Sequence, residues 1–83
     1  MNNMQTALIA IIAKLLGKDP SEIDPAQSLT SAGVDSLEMV EIITAVEDEF
    51  DVRFEDSMLD KIDSVVQLQQ AVESALTMRA HAA

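Results

Sequence analysis

"GVDSLEMVEIITAVEDEFDV", Gly33 to Val52, is the stretch on which the reading of the fold turns. Met39, Ile42, Ile43, Val46 and Phe50 recur at helical spacing and make one apolar stripe. Asp35 stands before that stripe, with Glu38 three residues on. This is an acidic variant of the capping box, and it starts a helix at about Ser36 that runs to Phe50. On a wheel of 3.6 residues per turn the other side carries Ser36, Leu37, Val40, Glu41, Thr44, Glu47 and Asp48. Two of these are apolar and three are acids, so an apolar spot with an acidic rim faces outward. Such a spot reads as a small docking face, against the alternative that single exposed apolar residues are normal on any surface.

Outward from this helix the chain keeps the same character. Upstream, Met4, Ala7, Leu8, Ile11, Ile12, Leu15 and Leu16 follow i, i+3, i+4 spacing, and Gly17 with Pro20 beyond it stops that helix. Ile9 lies off the stripe, so this first helix is expected to be buried on more than one side. Between the two helices, Lys18 to Asp35 holds both prolines of the chain. A connection of that length should be pinned rather than loose, with Ile23, Leu29 and Val34 as its apolar anchors. Downstream, "EDSMLDKI", Glu55 to Ile62, can hold one or two helical turns around Met58, Leu59 and Ile62. Ser64, with Gln67 three residues later, then caps a last helix whose stripe is Val65, Leu68, Val72, Ala75 and Leu76. "MRAHAA", from Met78, reads as a frayed tail. The expected fold is all-α, a small bundle of three longer helices and one short one, forming a single domain over 1–83 with its structured core at about 4–77.

Composition narrows the function. The 83 residues contain 15 Asp and Glu against 5 Lys and Arg, a net charge of −10. Nucleic acid and anionic membrane surfaces both need a basic face and are not expected partners. A basic protein surface is the natural complement. With no cysteine, disulfides, thiolate catalysis and Cys-based metal sites are excluded. The longest wholly apolar run, Ala7 to Ala13, is too short to span a bilayer, and no basic n-region of a signal peptide is present. A cytoplasmic monomer is expected.

Ser36 has two readings from its residues alone. One is an ordinary helix-start residue. The other is an acceptor for a group attached by another enzyme, since a helix N-terminus stabilises a phosphate. A catalytic role is not expected, because no base lies near in sequence and the single histidine, His81, is in the tail. No metal site is expected either. "DEFDVRFED" lacks the spacing and the glycine of an EF-hand loop, although Glu47, Asp51 and Asp56 could attract divalent ions loosely.

Gly33 to Val52 resembles the acyl carrier protein family. Asp35-Ser36-Leu37 matches that family's D-S-L at the start of its second helix, and Glu49-Phe50 its terminal E-F. The helix order also matches, from Met4 to about Thr77. The resemblance implies that Ser36 carries 4′-phosphopantetheine, placed there from coenzyme A by a phosphopantetheinyl transferase, and that the arm's thiol holds an acyl group. It implies that Asp35 and Leu37 help the transferase recognise the serine. Glu38, Glu41, Glu47 and Asp48 would then meet basic patches on acyl-transferring, condensing or ligase enzymes, with Leu37 and Val40 as apolar contacts. An acyl chain folding back between the helices would be lined by Val40, Ile62 and neighbouring aliphatics. The chain would be a carrier and not an enzyme, serving fatty acid, polyketide or related biosynthesis. Thr44 departs from the apolar residue common at its place, and Arg53 and Lys61 put positive charge after the second helix. These departures leave a specialised carrier open, for an aminoacyl group or a lipid-modifying pathway.

Overall fold

The computed structural model describes residues 3–81. They form α1 (Asn3–Leu16), a 3-10 turn (Pro20–Glu22), α2 (Ser36–Phe50), the single-turn α3 (Asp56–Leu59) and α4 (Val65–His81). This is the expected all-α arrangement of three long helices and one short one. α1 packs against both α2 and α4. Leu8 and Ile12 of α1, Ile42 and Val46 of α2, and Val65, Leu68 and Val72 of α4 are completely buried at that junction. Burying each such aliphatic side chain stabilises by about 1.5–3 kcal/mol, so this aliphatic centre holds the three long helices together.

The details of the stripes differ from the pattern in instructive ways. Leu15 continues the α1 spacing but stands 43% exposed, whereas Ala13, off that stripe, is buried. α1 meets neighbours on two sides, so its buried surface is wider than one stripe, and Ile9 packs half-buried against the core. Met39, Ile43 and Phe50 flank the α2 stripe as half-buried residues. Between α2 and α3, Val52 and Phe54 turn inward and close the bottom of the core.

Helix ends follow the local chemistry. α1 stops at Gly17, whose positive φ of 66° lets the Lys18 N–H reach back to the Ala13 carbonyl at 2.9 Å. α2 stops at Asp51, a left-handed residue with φ 53°. Asp tolerates that conformation better than most residues. α4 starts as expected on Ser64, whose Oγ accepts the Gln67 N–H at 3.2 Å. The reciprocal bond is displaced by one residue: Gln67 Oε1 accepts the N–H of Asp63, not of Ser64. α4 also continues to His81, past the expected end near Thr77. Met78, Arg79 and Ala80 are good helix formers and let the backbone ladder run on. Ala82 and Ala83 of the expected tail lie outside the described residues.

The long connection is pinned, and by more than its apolar anchors. Leu29 and Val34 are buried and Ile23 half-buried. Asp19 and Glu22 form a capping box around the 3-10 turn, and the bonds from the Ser21 N–H and hydroxyl hold the Asp19 carboxyl below its ordinary pKa. Farther on, the Val66 N–H donates to the Pro25 carbonyl at 3.1 Å and the Leu29 N–H to the Asp63 carbonyl at 2.6 Å. The connection therefore lies along the start of α4. Ser28 to Gly33 then makes its own turn, with Ala32 N–H donating to Ser28 O and Val34 N–H to Leu29 O. That turn delivers the chain into α2.

Candidate functional site

The entry to α2 is built by four consecutive residues. Val34 is buried and fixes the depth of the chain. Asp35 is extended, at φ −89° and ψ 177°, and its Oδ1 accepts the Glu38 N–H at 2.8 Å. Glu38 Oε1 accepts the Asp35 N–H at 3.1 Å in return. The acidic capping box expected from the sequence is thus complete. Ser36 follows as the first helical residue and is exposed. Leu37, next to it, is 69% exposed.

At this position the Ser36 and Leu37 N–H groups have no acceptor inside the helix, because the first turn of any helix leaves its donors open. A phosphate on the Ser36 hydroxyl would sit where those donors and the helix dipole favour negative charge. The exposure of Ser36 and the open N–H groups beside it fit a phosphodiester-linked group. The arrangement offers the exposed Ser36 hydroxyl as an acceptor, and a serine hydroxyl is a poor nucleophile until a base activates it.

The outward face of α2 continues from this point. Val40 is 60% exposed one turn on from Leu37, and Glu41, Thr44 and Asp48 are exposed. Leu37, Val40, Glu41, Thr44 and Asp48 therefore lie on one open side of the helix. Two acids of the sequence reading are placed differently. Glu38 is half-buried and committed to the cap. Glu47 is half-buried, and its Oε2 accepts the Phe54 N–H at 2.9 Å, which fastens the segment after α2 back onto the helix. The Glu38 bond is the cap the sequence signalled, but the Glu47 bond could not be read from helical spacing, since its partner comes from beyond the helix end.

Val40 also corrects the expected lining of an interior acyl space. It points to solvent, while Ile62 is buried at 6% exposure. Val40 lies on the outward side with Leu37 and lines no interior space. An open groove of about 590 Å³ does occur elsewhere, bounded by Thr44, Asp48, Val52, Arg53, Met58 and Met78 among others. It begins about 12 Å along the helix axis from Ser36, at a rise of about 1.5 Å per residue. Among the described residues no group of three or more His, Cys, Asp or Glu side chains is arranged to hold a metal ion. No described helix is long and apolar enough to cross a membrane.

Residues 6–72 match the family profile described as "Phosphopantetheine attachment site". An acyl carrier protein of Phaeodactylum tricornutum is 39% identical over 66 residues, covering 78% of this chain and 87% of the relative. "Acyl carrier protein 3" of Ralstonia nicotianae is 40% identical over 70 residues, covering 83% and 80%. Among solved structures, the crystal structure of an acyl carrier protein from Thermotoga maritima superposes with a TM-score of 0.75. That match has 26% identity and covers 94% of this chain and 98% of the other.

Proposed function

We propose that Ser36 bears the prosthetic group of this chain, on the premise that the chain belongs to the acyl carrier protein family and so carries covalent 4′-phosphopantetheine. The observation that carries the proposal is the exposed hydroxyl of Ser36 on the first helical residue, directly after the capped Asp35. A transferase would join the Ser36 Oγ to the pantetheine-bearing phosphorus of coenzyme A. The pyrophosphate bond at that phosphorus breaks as the new one forms, adenosine 3′,5′-bisphosphate leaves, and the transferase takes the hydroxyl proton. Asp35 and Glu38 hold the helix start in place, and the open N–H groups of Ser36 and Leu37 stabilise the anionic linkage. When bound, the arm supplies the thiol that this cysteine-free chain lacks, so that an acyl group can be held as a thioester.

The remaining residues of the face serve delivery. Leu37 and Val40 offer the apolar contact, and Glu41 and Asp48 the charged rim, to acyl-transferring, condensing or ligase enzymes with basic patches. Thr44 sits between them. Glu38 and Glu47 add to the negative potential of the face while their own carboxylates stay engaged. Rim charges raise the encounter rate more than the affinity, which suits a carrier that must leave each partner. The chain acts as a carrier rather than a catalyst, in fatty acid, polyketide or related biosynthesis.

Intact mass before and after incubation with coenzyme A, magnesium and a phosphopantetheinyl transferase of broad specificity tests this. The expected result is a gain of one phosphopantetheinyl group, absent in Ser36→Ala. A folded, initially unmodified protein that gains nothing would remove the assignment of Ser36.

A further inference from the structure

We propose that Asp63 is a positioning residue for the modification of Ser36: it fastens the connection that leads into α2 onto the start of α4. The proposal rests on the reading of Ser36 as the attachment residue. Its basis is a concentration of bonds at one side chain far away in sequence. Asp63 Oδ1 accepts the Thr30 N–H at 3.0 Å and the Thr30 hydroxyl at 2.7 Å. Asp63 Oδ2 accepts the Ser28 hydroxyl. The Asp63 backbone carbonyl accepts the Leu29 N–H at 2.6 Å. Asp63 itself is fixed to α4, since its N–H donates to Gln67 Oε1 at 2.8 Å. These bonds hold the Asp63 carboxyl below its ordinary pKa, the Ser28 hydroxyl contributing most, so it stays ionised and keeps accepting.

The clasped residues are the base of the turn that aims α2. Ser28 O and Leu29 O accept the Ala32 N–H, and Leu29 O also accepts the Val34 N–H at 3.0 Å. The next residue is the cap, Asp35, and the one after it is Ser36. Burial of Leu29 and Val34 sets the depth of this segment, because apolar contact is non-directional. Direction comes from the hydrogen bonds, and those that tie the turn to the rest of the fold converge on Asp63. A transferase must align the Ser36 oxygen with a phosphorus, and a misplacement of about 1 Å can cost on the order of a hundredfold in rate. Loosening the clasp should therefore slow the chemical step. It should leave docking alone, because Leu37, Val40, Glu41 and Asp48 are untouched.

Steady-state modification of the full chain, with coenzyme A and a transferase, distinguishes the cases. Asp63→Ala is expected to lower kcat by about tenfold, with KM for the chain nearly unchanged. The double variant Ser28→Ala with Thr30→Ala, which keeps the Thr30 N–H bond, should lower kcat part of the way, and adding Asp63→Ala to it should bring the loss only to that of Asp63→Ala alone. Asp63→Asn, which keeps the shape and can still accept from Thr30, should recover most of the rate. Should Asp63→Ala fail to fold, the Ser28→Ala with Thr30→Ala variant carries the test, and an unchanged kcat there overturns the positioning role. Ser64→Ala is the control: it removes the α4 cap but leaves the clasp. An unchanged kcat in Asp63→Ala, an effect confined to KM, or an equal loss in Ser64→Ala at matched Tm would each overturn the positioning role. If the wild-type chain were not modified at all, the assignment of Ser36 would fall instead, which the mass measurement shows separately.

Discussion

Gly33 adopts φ 104°, a backbone conformation that a residue with a Cβ rarely takes, three positions before Ser36. No atom lies within 4 Å of where a Cβ would stand, so the constraint is the backbone itself and not space. Gly33→Ala should then destabilise the fold by about 1–2 kcal/mol, lowering Tm by roughly 4–8 °C for each kcal/mol in a domain of this size. Thermal unfolding followed by circular dichroism checks this; an unchanged Tm would mean that the turn relaxes to negative φ without cost. Residue by residue, the sequence was most legible where partners are near in the chain. Asp35 and Glu38, three apart, signalled their own mutual bonds. Asp63 and Ser28 lie 35 positions apart, and no spacing rule connects them. The same holds for Glu47 with Phe54, where the helical pattern ends before the partner arrives.

Among the elements, α2 carries the proposed attachment and docking residues, and it was legible because two patterns are superposed on it. A buried stripe, with Ile42 and Val46 at its centre, fixes which way the helix faces. That leaves Leu37, Val40, Glu41 and Asp48 outward as a consequence of geometry. The short α3 was less legible. Its four residues, Asp56 to Leu59, contain too few turns to show a period, and Glu55 before it makes no side-chain cap bond. The groove beside it, floored by Val52 and Met58, arises from how three elements meet and has no signature in any one of them. The exposed acids of α2 yield a direct prediction. Glu41→Lys reverses one rim charge without touching the core. It should reduce kcat/KM for a partner enzyme by about tenfold at low ionic strength, and the deficit should shrink with salt as screening sets in. The melting temperature should stay within about 4 °C of wild type, as expected for a surface change within about 0.5 kcal/mol. Partner kinetics unaffected at low salt would show that this part of α2 does not dock.

For the whole molecule, the governing quantity is a net charge of −10 confined to a radius of gyration of 12.2 Å. Two like charges about 10 Å apart in water repel by about 0.4 kcal/mol, and many such pairs act at once across the surface. Unfolding spreads the charges and relieves them, so repulsion subtracts from a stability that a thin aliphatic core makes modest in any case. Raising monovalent salt from about 0.01 M to about 0.1 M shortens the screening length from about 30 Å to about 10 Å, which is below the size of the molecule. The fold should gain on the order of 1–2 kcal/mol in that interval, a rise in Tm of roughly 5–15 °C. A Tm indifferent to salt would mean that self-repulsion is insignificant. Divalent cations separate screening from binding. At matched ionic strength a screening effect is the same for magnesium chloride and sodium chloride. Any excess for the divalent ion measures direct attraction to the acids. Because no described group of three such side chains is arranged around a common point, that excess should be small and should fade as sodium chloride is added. A large, saturating excess at micromolar magnesium would instead require carboxylates to regroup around the ion.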